Sequence, residues 1–147
     1  MQVHRLERDA SLEPVARILI QLRPQFTESG LIEQLRCQID TMGYRIAAAC
    51  DDDGNVLCVA GFVIQEKLAW GKSLYVDDLV TDARGRSLGA GTCMMAWLKT
   101  HARSLGCRQL HLDSGVQRFD AHRFYLREGF RIASHHFSID LDHVHDH

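Results

Sequence analysis

The sequence predicts an α+β fold of three layers, in which helices flank a mixed, largely antiparallel central sheet. Apolar runs and amphipathic segments follow one another in the order β-α-α-β-β-β-α-β-α-β(β), and the acidic turn Asp51–Asn55 joins two apolar runs as a hairpin. The chain of 147 residues is also long enough to bury a core. We therefore expect one domain over residues 1–147, with a disordered tail from about residue 142.

Six apolar segments with the composition of strands define the predicted sheet. They cover residues 3–7, 45–50, 56–64, 73–81, 108–112 and 130–141, the last as one bent strand or two short ones. Gly61 interrupts the third segment, which predicts a bulge or a close approach of another group to the backbone.

Four helices are predicted where apolar residues recur three or four positions apart between capping and stop signals. The first two run from the cap Ser11 to Pro24 and from the cap Ser29 to Gly43. The third begins near Ala90 and stops at Gly106, and the fourth runs over residues 121–127, from the cap Asp120 to Gly129.

The bulk composition argues against two classes of partner. A net charge of −2 does not favour nucleic-acid binding, which usually needs a clearly basic surface. The longest apolar run, residues 56–64, is too short to span a bilayer, and the amino terminus carries no signal segment. We expect a cytoplasmic protein with neither nucleic acid nor membrane as a partner.

The cysteines and histidines do not predict a disulfide or a metal site. The five cysteines contain no C-x-x-C pair and lie in apolar patterns, so they are predicted to be small buried residues. Of the nine histidines, His135 and His136 are adjacent and three more fall in the terminal residues 143–147. This tail lacks apolar periodicity, and we assign no metal.

A glycine-rich turn, Arg84–Gly91, lies between an apolar strand and an amphipathic helix. The start of a helix exposes unpaired N–H groups and a partial positive charge, which favour a phosphate group. A P-loop is excluded because no lysine follows Gly91, and a dinucleotide fingerprint is excluded by the glycine spacing.

Two motifs resemble those of the GNAT superfamily of N-acyltransferases. The segment Arg86–Gly91 matches the acyl-CoA pyrophosphate turn Arg/Gln-x-x-Gly-x-Gly/Ala, and Ala121–Phe130 resembles the signature A-x-x-F-Y-x-x-x-G-F. The resemblance covers nearly the whole chain. One position departs from the pattern, because Ser87 stands where the family commonly has glycine after the arginine.

The resemblance implies an N-acetyltransferase that moves an acetyl group from acetyl-CoA to a primary amine by direct attack in a ternary complex. It implies Tyr125 as the group that assists the departing thiolate, and a carboxylate, Asp77 or Asp78, that faces the acceptor, with Asp77 favoured. The residues implied for cofactor binding are Leu79, Val80, Thr81, Arg86, Ser87, Leu88, Gly89, Ala90, Gly91 and Thr92. Main-chain groups of Leu79 and Thr81 would pair with the pantetheine arm.

The acceptor stays open at this point. The paired aspartates hint at a cationic amine, either a small molecule or a lysine side chain. Two alternatives are a non-catalytic acyl-CoA sensor and a protein lysine acetyltransferase. The resemblance also makes a homodimer an expectation.

Overall fold

Five strands form one sheet in the order β1-β2-β3-β4-β5 in the computed structural model, which describes residues 1–142. The strands are β1 (Gln2–Arg5), β2 (Arg45–Cys50), β3 (Val56–Lys67), β4 (Gly71–Thr81) and β5 (Gln109–Leu112). The first three pairings are antiparallel, and β5 runs parallel to β4. The predicted mixed, largely antiparallel sheet is confirmed.

The described residues contain five helices: α1 (Glu13–Leu19), α2 (Glu28–Met42), α3 (Ala83–Arg86), α4 (Ala90–Ser104) and α5 (Phe119–Arg127). The four predicted helices are present, and the short α3 is an addition. Gly43 ends α2 in the left-handed conformation with φ 67°, as predicted. Helix α1 ends at Leu19, well before Pro24.

The predicted N-caps are wrong. Leu12, not Ser11, precedes α1, and its apolar side chain has no acceptor for a cap; Pro14 in the first turn leaves one N–H group fewer to satisfy. Thr27 caps α2, since its Oγ1 accepts a hydrogen bond from the Gly30 amide at 3.1 Å, and Ser29 lies inside the helix. Asp120 also lies inside its helix, after the cap position Arg118.

The core of the first unit lies on both faces of the sheet. Apolar residues of α1 and α2 pack with Ile46 of β2 and Val59 of β3. Phe62 has the opposite parity on β3 and meets Trp97 of α4 edge-on, with ring centroids 6.2 Å apart. Helices therefore cover both faces of β3, which is the three-layer arrangement expected.

The chain divides into two compact units, Met1–Leu112 and a second that begins at Asp113. In the second unit, the strand or strands predicted over residues 130–141 are wrong: no residue from 130 to 142 is in a strand. Apolar alternation supplies only the side chains of a strand, and a ladder also needs a partner edge. Residues 143–147, with most of the predicted tail, lie outside the described residues. The single domain stays a prediction.

All five cysteines are free thiols, and their environments differ. Cys58 is buried, three others are half-buried, and Cys37 is exposed, so the prediction of burial is wrong for Cys37. Burial raises the pKa of Cys58 to about 11. No helix within residues 1–142 is long and apolar enough to cross a membrane.

Candidate active site

The turn that follows β4 takes its shape from two glycines. Gly89 has φ +73°, a left-handed conformation that glycine adopts without strain, and α4 begins at the next residue. Gly85 is buried: a Cβ there would lie 2.9 Å from the Cβ and the carbonyl oxygen of Leu57 and 3.0 Å from the Cβ of Ala90. Glycine therefore lets the turn pack directly on β3.

Three amide groups at the start of α4 are available to a ligand. The Cys93 amide is the first to donate within the helix, to the Gly89 carbonyl at 3.0 Å. The amides of Ala90, Gly91 and Thr92 have no acceptor within residues 1–142. Together with the dipole of a 15-residue helix, these donors can bind an anion such as a phosphate group.

The amides of Ser87 and Leu88 are already used inside the turn. Both donate to the carbonyl of Gly85, with the Leu88 bond at 3.1 Å. Fewer backbone amides are thus available to a phosphate group than the motif Arg86–Gly91 suggests. Ser87 has φ −74° and ψ −13°, an ordinary helical conformation, so a serine fits this position without backbone strain.

Asp82 connects the turn to the chain segment after α1. Its carboxylate accepts hydrogen bonds from Arg84 Nε at 2.6 Å and from Gln21 Nε2 at 2.8 Å. The bond from Arg84, followed by that from Gln21, lowers the pKa of Asp82 to about 2. Arg84 therefore already has a hydrogen-bonded partner, Asp82, at the start of its own turn.

The β4 edge beside the turn is open. Strand β5 pairs only with Ser73–Val76, so beyond Val76 no strand of the described chain pairs with this edge of β4. Leu79, Val80 and Thr81 lie on this open stretch. Their main chain can accept an extended ligand as an added strand.

A bulge separates the two aspartates of β4. In the ladder between β3 and β4, Gly61 lies opposite Asp78 and Phe62 lies opposite Val76, which leaves Asp77 as the extra residue. The bulge predicted at Gly61 is confirmed, with its extra residue on the neighbouring strand. Asp77 is exposed, and Asp78 is largely buried, with 15% of its side chain accessible.

Asp78 is held by two side chains from other elements. Arg23 donates from Nε to Oδ1 at 2.9 Å, and the Tyr44 hydroxyl donates to Oδ2 at 2.7 Å. Burial, followed by the charge of Asp78, holds the pKa of Tyr44 well above its usual value, so its hydroxyl stays a donor. Gly61 makes room for this hydroxyl: a Cβ on Gly61 would lie 1.5 Å from it.

Tyr125 lies on α5, in the second unit, whereas the aspartates and residues 79–92 lie in the first. Its ring centroid is 5.5 Å from that of Phe124 and 5.9 Å from that of Phe130, and its carbonyl accepts the Phe130 amide at 3.0 Å. These contacts fix the helix end at which the tyrosine lies. Within residues 1–142, no group of three His, Cys, Asp or Glu side chains could hold a metal ion.

Sequence reasoning missed the contribution of Arg23 and Tyr44. Arg23 follows α1, and Tyr44 lies between α2 and β2, so neither belongs to a motif with Asp78. The one available signal was Gly61, because a glycine within an apolar strand indicates a bulky neighbour.

Comparisons with known proteins agree with the fold and with the family resemblance. The model of the Acetyltransferase (GNAT) family matches residues 13–130. An uncharacterized N-acetyltransferase of Bacillus subtilis strain 168, YhdJ, is 31% identical over 121 residues, which are 82% of this chain and 84% of that protein. The aminoalkylphosphonate N-acetyltransferase of Salmonella typhimurium is 35% identical over 63 residues, only 43% of this chain and 41% of the relative.

A solved structure shares the fold. The aminoglycoside N-acetyltransferase AAC(6')-Iy, in complex with CoA, has a TM-score of 0.82 and is 13% identical, with 95% of this chain and 93% of that chain covered. At this identity the similarity shows the fold alone.

Proposed function

The chain belongs to the acetyltransferase (GNAT) family, and we propose that it transfers an acetyl group from acetyl-CoA to a primary amine by direct attack in a ternary complex. The observation that carries the proposal is the start of α4, where the amides of Ala90, Gly91 and Thr92 have no acceptor in the described chain and follow the left-handed Gly89. These donors suit the pyrophosphate of CoA, and the open edge at Leu79–Thr81 suits the pantetheine arm.

Asp77 is the proposed carboxylate of the proton path. An alkyl amine with a pKa of about 10.4 is neutral in roughly one molecule in two thousand at pH 7, a handicap of about 4–5 kcal/mol. The exposed Asp77 can attract the ammonium form and accept its proton through water. Both oxygens of Asp78 already accept hydrogen bonds, so its proposed role is to position Arg23 and Tyr44.

Tyr125 is the proposed acid. As the amine nitrogen bonds to the thioester carbon, the carbon–sulfur bond breaks and the electron pair leaves with the sulfur. The Tyr125 hydroxyl would donate a hydrogen bond or a proton to this sulfur. If it donates a proton, the proton that the amine nitrogen releases returns the tyrosine oxygen to its neutral form. The position of Tyr125 in the signature Ala121–Phe130 supports this assignment.

The test is thiol release from acetyl-CoA with pooled small amines and, separately, with lysine-containing polypeptides. Tyr125→Phe should lower kcat by about 100-fold or more, the usual effect of losing an acid, while the affinity for CoA changes little. Tyr75→Phe, which removes a phenol hydroxyl from the stack with Trp70, serves as the matched control and should retain turnover.

Each outcome separates the candidate functions. Release with small amines supports the proposal, and release with polypeptides alone assigns a protein lysine acetyltransferase. CoA binding without release in any pool would indicate a sensor. Wild-type turnover in Tyr125→Phe would remove Tyr125 from the mechanism, and Asp77→Asn tests the proton path in the same way. A cytoplasmic location and a homodimer stay predictions.

A further inference from the structure

Arg23 is fixed at the bulge of β4 by three hydrogen-bonding contacts. Its Nε and Nη2 lie 2.9 Å and 2.8 Å from Asp78 Oδ1, and Nη2 donates to the main-chain oxygen of Asp77 at 3.2 Å. Tyr44 holds the other oxygen of Asp78. The orientation of the guanidinium is therefore fixed, because Asp78 and the Asp77 main chain hold the edge formed by Nε and Nη2.

The opposite edge of the guanidinium remains open to a ligand. The Arg23 side chain is 41% exposed, and its Nη1 has no hydrogen-bond partner within residues 1–142. A part-exposed guanidinium held rigid by a carboxylate is suited to bind an anion, since an arginine loses less entropy when its fork is already placed.

Arg23 also changes the net charge around Asp77 and Asp78, where the acceptor amine is proposed to bind. Asp77 and Asp78 carry two negative charges, and Arg23 carries one positive charge beside them, so the cluster is less acidic than the sequence pair suggests. A polycationic acceptor would bring a second ammonium group close to the guanidinium. An amine with an attached anionic group would instead meet a carboxylate at Asp77 and a cation at Arg23.

We propose that the acceptor is a small primary amine that carries an anionic group, a carboxylate or a phosphonate, and that Arg23 is the residue that recognises this group. The inference rests on the proposed acetyl transfer. The ammonium end lies toward Asp77, and the anionic end binds Arg23 through Nη1. Asp78 and Tyr44 act as positioning residues for the guanidinium.

The test compares amines of similar length with acetyl-CoA and the full chain. The panel contains β-alanine, 2-aminoethylphosphonate, propylamine and 1,3-diaminopropane, and kcat/KM is measured by thiol release. We expect the two anionic amines to exceed propylamine by about tenfold or more, since a hydrogen bond to a charged group contributes about 1.5–3 kcal/mol. The ratio between β-alanine and 2-aminoethylphosphonate distinguishes the two anions.

Variants of Arg23 test the recognising residue. Arg23→Gln should lower the ratio of anionic amine to propylamine by about tenfold and shift preference toward 1,3-diaminopropane, because Asp78 then loses its cation. Arg23→Lys should retain part of the ratio. Arg17→Gln, on the exposed side of α1, is the matched control and should keep the wild-type ratio. A purely structural role of Arg23 would not reverse the preference between anionic and dicationic amines.

The failures are distinguishable. If propylamine and 1,3-diaminopropane are acetylated at least as well as the anionic amines, or if Arg23→Gln leaves the ratio unchanged, the inference is wrong and the proposed transfer stands. If none of the four amines nor any pooled acceptor releases thiol, the proposed function itself fails.

Discussion

Gly61 lies where a side chain would overlap the ring of Tyr44. A Cβ built on Gly61 would be 1.5 Å from the Tyr44 hydroxyl oxygen and 2.2 Å from Cζ. Tyr44 is itself buried, with 3% of its surface exposed, so the ring has little room to move. Gly61 does not have a positive φ, and the need for glycine here is a matter of space alone.

Gly61→Ala should therefore destabilise the protein by about 3 kcal/mol, the upper part of the range for overpacking a core. Urea unfolding gives the free energy. The double variant Gly61→Ala with Tyr44→Leu should be less destabilised than the sum of the two single variants, because the smaller side chain makes room for the methyl group. Additive effects would show that the clash is relieved in another way.

The cluster of Arg23, Tyr44 and Asp78 illustrates what residue-level patterns cannot predict. Arg23 is 55 positions and Tyr44 is 34 positions from Asp78 along the chain. The three residues come together only through the packing of α1, α2 and the sheet. The aspartate pair itself was visible in the sequence. The spacing of nearby residues could not show that the Asp78 carboxylate is already hydrogen-bonded, because its partners Arg23 and Tyr44 are distant in sequence.

At the scale of elements, helix α2 has two candidate N-cap residues, Thr27 and Ser29, and only Thr27 caps it. Thr27 has extended backbone angles, φ −79° and ψ 161°, and accepts the Gly30 amide, whereas Ser29 already lies in the first turn. Both residues belong to the types that favour N-caps, and the sequence pattern does not decide between two such residues this close together.

Thr27→Ala should lower the free energy of unfolding by about 1 kcal/mol, the usual effect of losing an N-cap. Ser29→Ala is the matched control and should change stability by less than about 0.5 kcal/mol, as expected of an exposed helix position. Thermal or urea unfolding of both variants checks the assignment. A larger effect at Ser29 than at Thr27 would place the cap two residues later.

Elements with a strong period or a clear stop signal were predictable, and those that depend on distant partners were not. Strand β2 was predicted over its observed range, and Gly43 ends α2 as expected. The short α3 has only four residues, too few to leave a periodic pattern. Residues 130–141 alternate like a strand, yet alternation alone does not supply the neighbouring edge that a strand needs.

At the scale of the whole molecule, we expect acid stability to depend in part on His101 of α4. Its ring stacks on Trp97, with centroids 4.5 Å apart, and meets Phe62 edge-on. Its Nε2 is buried without a hydrogen-bond partner in the described chain. Burial, followed by the charges of Arg5 and Arg45, lowers the pKa of His101 from its ordinary value of 6.5.

The sign of the pH effect follows from this lowered pKa. In the unfolded chain the imidazole binds a proton near pH 6.5, whereas in the folded protein it stays neutral to lower pH, so unfolding takes up a proton in this window. The stability contribution is thus present above about pH 6.5 and is lost as the pH falls toward the folded pKa. The slope for one proton is at most about 1.4 kcal/mol per pH unit.

Urea unfolding at pH 7.5 and at pH 5.5 measures this contribution. His101→Phe keeps an aromatic ring beside Trp97 but cannot bind a proton, so the loss of unfolding free energy between the two pH values should be smaller than in the wild type. His4→Gln, which removes an exposed imidazole from β1, is the control and should show nearly the wild-type loss. Equal losses in wild type and His101→Phe would mean that proton uptake by other groups sets the acid sensitivity. A smaller loss in His101→Phe alone would tie part of the acid sensitivity to one imidazole that burial and the charges of Arg5 and Arg45 keep neutral.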